Sequence, residues 1–100
     1  MSRLGAITEK IRSKNAGPFW LTIDIFCGNS DVFSQVSAGL ETTRVARLYA
    51  TDPKLMKRFD IADLNVVKFS FPRPVTQGSR TDRDMHGAGW AVLLEELELA

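Results

Sequence analysis

A chain of 100 residues, 44% apolar and 25% charged, suits one globular domain spanning residues 1–100 around a single core. A net charge of +1, with arginines spread along the whole chain, argues against nucleic acid or a membrane surface as partner. The single cysteine, Cys27, excludes an intramolecular disulfide, and no apolar run approaches the ~18 residues of a membrane span; with no apolar leader in MSRLGAITEK, a cytoplasmic setting is expected.

In chain order, Ser2 to Lys14 reads as a first helix. Leu4, Ile7 and Ile11 fall on one helical stripe, Ser2 offers an N-cap, and Gly17-Pro18 closes the segment. Phe19 to Cys27 reads as a strand rich in aromatic and β-branched residues. Phe19, Leu21, Ile23, Ile25 and Cys27 share one face; Trp20, Thr22, Asp24 and Phe26 share the other. Large apolar groups on both faces predict a central strand at least partly covered on both sides.

Gly28-Asn29-Ser30 then turns the chain into a helix over Asp31 to Ala38, capped by Asn29 or Ser30 and ended by Gly39. A further helix is predicted from about Thr42 to Ala50, capped by Thr42 or Thr43, with Val45, Leu48 and Tyr49 inward and Asp52-Pro53 as its stop. Leu55 to Asp60 and Asn65 to Phe71 read as an antiparallel pair turning near Ala62-Asp63, ended by Pro72 and Pro74. Residues 76–89 read as a long polar loop. The segment Trp90 to Leu99 fits helix by propensity and strand by its Leu97/Leu99 alternation; a strand after a short turn is the expectation. These elements predict an α+β domain: a mixed or antiparallel sheet of about four strands with helices mainly on one face. The α-rich crossover followed by a hairpin matches part of a ferredoxin-like split βαβ topology.

The stretch RSKNAGPFWLTIDIF, with ARLYA and FPRP further on, resembles a family of small bacterial proteins catalogued as domain of unknown function 4387. It is also similar to the small ferredoxin-fold module associated with acyclic-terpene-utilisation (AtuA-like) proteins. The resemblance runs from Leu4 to about Leu99 and implies a ferredoxin-like fold and a role beside a larger partner in catabolism of acyl or carboxylate compounds. It supplies no catalytic residue. Where the family loop reads roughly Asp-x-Tyr-Gly-Ala, this chain has Asp84-Met85-His86-Gly87-Ala88.

Six residues stand out as candidates for binding a ligand or partner: Arg12, Lys14, Asn15, Asp24, Arg73 and His86. Arg12, Lys14 and Asn15 fit a helix C-terminus, whose negative end attracts cations, or an anion site. A carboxylate inside an apolar strand needs a partner, so Asp24 is expected to pair with Arg12, Lys14 or Arg73, or else to face a ligand. Arg73 is stiffened between two prolines and fits an internal or an external carboxylate. His86 has only loop carboxylates nearby, too few groups for a metal site, and reads as a solvated histidine or a general base. Cys27 precedes a helix start but shares the apolar strand face, which favours a buried role. No metal or other cofactor is expected.

Two functions from different classes fit these residues. One is a non-catalytic interaction subunit, either self-associating as a homo-oligomer or bound to a larger AtuA-like protein, and on its own not an enzyme. The other is a small hydratase or lyase, or a binding domain for a carboxylate or acyl-CoA, with Asp24 or His86 moving protons.

Overall fold

The computed structural model describes residues 2–16, 19–72 and 91–99 of the chain. Four strands form the main sheet: β2 (Lys10–Asn15), β3 (Trp20–Phe26), β4 (Lys57–Ile61) and β5 (Val66–Pro72), in the order β2-β3-β5-β4 with every neighbouring pair antiparallel. A second sheet has two short strands, β1 (Ser2–Arg3) and β6 (Glu98–Leu99). The α-helices among the described residues are α1 (Leu4–Ile7), α2 (Ser30–Gly39), α3 (Thr42–Leu48) and α4 (Ala91–Glu95).

The α+β class follows directly. β3 and β4 both run antiparallel to β5, which lies between them, so they are parallel to each other and joined by α2 and α3. That is a split βαβ unit. The fourth strand of the sheet is β2, which precedes the unit in the chain. It does not come from the end of the chain, where residues 91–99 hold one short helix and the two-residue β6 instead of the strand expected over Trp90 to Leu99.

The first helix is a correction. Thr8 is extended at φ −94°, ψ 161°, and both its N–H and its hydroxyl bond the Leu4 carbonyl at 3.2 and 2.8 Å, ending α1 after one turn. From Lys10 the period is two: Ile11 and Ser13 are buried while Lys10, Arg12 and Lys14 are exposed. The stripe Leu4-Ile7-Ile11 was too short to outweigh pairing with β3, where a matched register buries Ile11. Ser2 belongs to β1, and Arg3 holds the N-cap position without a side-chain bond. Gly17-Pro18 lies outside the described residues, between strands that pair as a hairpin, with the Ala16 N–H donating to the Trp20 carbonyl at 2.8 Å.

The middle of the chain follows its sequence pattern closely. Asn29 caps α2, its side chain accepting from the Val32 N–H at 2.8 Å. Gly28, at φ +91°, makes the preceding turn in a conformation that favours glycine. Glu41, not Thr42 or Thr43, occupies the N-cap of α3, and it makes no side-chain cap bond. Asn65 is left-handed at φ 55° between β4 and β5, a conformation asparagine tolerates.

The core lies on one side of the main sheet. Ile11, Leu21, Ile23, Ile25, Val67, Phe69 and Phe71 meet Val36, Leu40, Val45 and Tyr49 from the crossover, Leu4 from α1, Leu94 from α4 and Leu99 from β6. The Tyr49 and Phe71 rings pack at a 37° tilt with centroids 5.1 Å apart. The Ser13 hydroxyl accepts the Ala91 N–H at 3.0 Å, tying α4 to β2. β3 is central, as expected, but no described helix packs against its second face: Trp20 is exposed, Asp24 and Phe26 are partly buried, and Thr22 between them is buried.

Candidate docking face and its basic pocket

Strand register determines what gathers on the second sheet face. Residues directly opposite one another project to the same side. Lys10 stands opposite Phe26, Arg12 opposite Asp24, and Lys14 opposite Thr22. Across the next boundary Asp24 stands opposite Lys68 and Phe26 opposite Val66. On the outer strand Lys57, Phe59 and Ile61 meet Ser70, Lys68 and Val66. The open face therefore carries five cations (Lys10, Arg12, Lys14, Lys57 and Lys68) and one carboxylate, Asp24, although the whole chain has a net charge of +1. Three aromatic rings sit among them: Trp20, Phe26 and Phe59, with Phe59 49% exposed. Lys10 lies over the Phe26 ring at 5.1 Å and Lys57 over the Trp20 ring at 5.8 Å, so each cation is held against an aromatic face.

A pocket of about 240 Å³ opens on this face, lined by Arg12, Ser13, Lys14, Asp24 and Phe26. Asp24 has no ion pair within 4.0 Å among the described residues; the ion pair found there joins Arg58 and Asp60. The expected pairing of Asp24 with Arg12 or Lys14 is thus not formed. Arg12 of β2 and Lys68 of β5 stand directly opposite Asp24 on either side of it, without closing to an ion pair. Asn15 is separated from this set: it shares the parity of Ile11 and Ser13 and projects to the opposite side. Arg73 and His86 lie outside the described residues. The helix-end reading of Arg12, Lys14 and Asn15 falls with the helix itself, since all three are in β2.

Sequence reasoning missed a polar clasp on the other side of the domain. Arg58 forms two bonds to Asp60, at 2.8 and 3.2 Å. It also donates to the Ser37 carbonyl at 2.9 Å, the Leu40 carbonyl at 2.5 Å and the Thr42 hydroxyl at 3.3 Å. Ser37 donates its hydroxyl to Asp60. Arg58 thus satisfies carbonyls at the end of α2 that have no helical partner. Burial works against ionisation of Asp60, but the Arg58 and Ser37 bonds and the Arg58 charge outweigh it and hold the carboxyl below its usual range. The alternation of β4 places Arg58 on the core side, but nothing in the sequence says that the end of α2 lies beside it.

Cys27 is 2% exposed. Burial, aided by the charge of Asp60, pushes its thiol pKa up, so the thiolate that nucleophilic chemistry needs is disfavoured. Among the described residues no group of three or more His, Cys, Asp or Glu could hold a metal ion, and no helix is long and apolar enough to cross a membrane. Comparison with known families finds a match over residues 4–98 to the model described as Domain of unknown function (DUF4387). No curated protein and no solved structure matches the chain.

Proposed function

The chain belongs to the DUF4387 family, and from that premise we propose that it is a non-catalytic interaction module that docks on a larger protein through the open face of its four-stranded sheet. The observation carrying this reading is the collection of five cations and three aromatic rings on a sheet face that the described helices leave uncovered. Trp, Phe and Arg are the side chains that most often anchor protein interfaces. The similarity to AtuA-associated modules makes a cytoplasmic AtuA-like protein in acyl or carboxylate catabolism the partner of choice. Co-expression with such a protein should give a complex that survives gel filtration at micromolar concentration, and Trp20→Ala with Phe59→Ala should release it. Separate elution of the two wild-type chains would overturn the reading.

The pocket supports a second reading, a site for a small carboxylate or the anionic part of an acyl-CoA. Arg12 and Lys14 would hold the anion, with the Phe26 ring beside it. Asp24, with no ion pair among the described residues, stands where a proton-transferring group or a hydrogen-bond acceptor would be useful. Thermal-shift measurement with dicarboxylates and acyl-CoAs tests this: stabilisation that disappears in Arg12→Ala supports it, and no shift with any of them removes it.

A further inference from the structure

We infer that the occupant of the open sheet face is an acidic protein segment with apolar side chains among its carboxylates, bound across the row Arg12–Asp24–Lys68 and anchored on Trp20 and Phe59. This deepens the interaction reading above and rests on it. The row is set by register: Asp24 of β3 stands opposite Arg12 of β2 on one side and opposite Lys68 of β5 on the other. Phe59 of β4 follows directly beyond Lys68. Lys14, Lys57 and Lys10 surround this row, and Trp20 lies on the same face four residues along β3 from Asp24.

Charge selects among the occupants. A second copy docking by a two-fold axis would bring the same patch against itself, cation on cation. The face would then repel its own copy. Single-stranded nucleic acid needs free ring faces for base stacking. Here two of the three rings already carry their own lysine, at 5.1 and 5.8 Å, and Asp24 sits in the path a phosphate chain would follow. An acidic peptide needs no stacked ring face, and its carboxylates can be spaced to either side of Asp24. Its carboxylates pair with Arg12, Lys68 and Lys14, and its apolar groups cover Trp20 and Phe59. Asp24 then acts as a selector that rejects a uniformly acidic segment and favours one with a gap or a donor at that position.

The footprint sets the character of the binding. Four strands at ~4.8 Å spacing and about seven residues at ~3.3 Å each give a flat patch of roughly 15 × 20 Å. That is below the ~800 Å² per partner of a standard interface. Association through this face alone therefore leans on charge and weakens with salt.

The test is fluorescence anisotropy of a fluorescein-labelled 12-residue Glu/Leu peptide with the full chain at low and moderate salt, beside a labelled 12-mer of oligothymidylate. The expected result is peptide binding that falls as salt rises and weakens roughly tenfold or more in Arg12→Glu/Lys68→Glu, since reversing two charges at the centre of the patch converts attraction into repulsion. Arg47→Glu/Lys54→Glu makes the same charge change off the open sheet face, with both residues exposed, and should leave peptide binding unchanged. Asp24→Asn should strengthen it, a gain that a folding defect would not produce. The inference is overturned by no peptide binding, by equal loss in the two charge-reversal pairs, by tighter binding of the oligothymidylate, or by concentration-dependent self-association through this face. If Arg12→Glu/Lys68→Glu leaves a complex with the large AtuA-like partner intact, the interaction module stands while this face and its acidic occupant fall.

Discussion

Arg58→Ala should be the most damaging single change outside the apolar core. The side chain is 18% exposed and serves two helix-end carbonyls, the Thr42 hydroxyl and the Asp60 carboxylate while lying 5.5 Å from the Phe69 ring. Two part-buried bonds to carbonyls contribute about 1–1.5 kcal/mol each, net of the water they replace. The ring contact adds about 0.5 kcal/mol, and the surface pair with Asp60 adds about 0.3–0.5 kcal/mol. Their sum is roughly 3 kcal/mol, which for a domain of this length lowers Tm by about 12–20 °C. Urea unfolding followed by far-UV circular dichroism measures it, with an unchanged slope and a lower midpoint expected. Arg58→Lys keeps the charge but loses the planar fork that reaches Ser37, Leu40 and Asp60 together, so it should recover less than half of the loss. A loss below about 1 kcal/mol in Arg58→Ala, or a lysine variant as stable as wild type, would refute the clasp as an energetic element.

Asp60→Asn tests the same clasp by pH. Because the native carboxyl titrates below its unfolded value of ~3.9, its contribution is fully present above that value and is lost as pH falls through the native one. The variant should therefore lose less stability than wild type between pH 6 and pH 3, measured by urea midpoints; an equal or greater loss contradicts the assignment. Gly5→Ala should cost about 1–3 kcal/mol in a thermal melt, because an added Cβ would lie 2.9 Å from the Glu95 Cβ and 3.0 Å from the Glu95 carbonyl oxygen, forcing α1 away from α4. The buried Cys27 thiol should react with Ellman's reagent roughly tenfold or more slowly in the native chain than in denaturant; equal rates would show that the site opens freely. Phe69→Ala should lose about 3–5 kcal/mol by opening a cavity, while Trp20→Ala on the open face should stay within about 1 kcal/mol of wild type. A large loss for Trp20→Ala would mean that its face is a second core and not a docking surface.

The local features legible in the sequence were those governed by short-range chemistry. Asn29 caps α2 because its side chain reaches the N–H three residues on. The alternation in Trp20–Phe26 and Val66–Pro72 gives strands whose inner residues are buried, and that is enough for an α+β domain. The segment before Gly17-Pro18 deceived because Leu4 and Ile7 fit a single helical turn as well as a longer helix, and Ile11 fits the buried face of a strand as well as a helical stripe. Only the partner strand decides between them, and the partner is β3, whose register buries Ile11 and turns Arg12 and Lys14 outward.

What tertiary structure alone decided is which charges share a surface. In sequence, Lys10, Arg12 and Lys14 are far from Lys57 and Lys68, and a net charge of +1 conceals any patch. The order β2-β3-β5-β4 brings β2 and β5 to either side of Asp24 and sets β4 beyond. The described helices pack on the other face, so the cations and rings collect on the one they leave open. Strand alternation states only that a residue points up or down. Which residues become its neighbours depends on pairing between segments tens of residues apart, where side-chain burial and closure of the crossover act together.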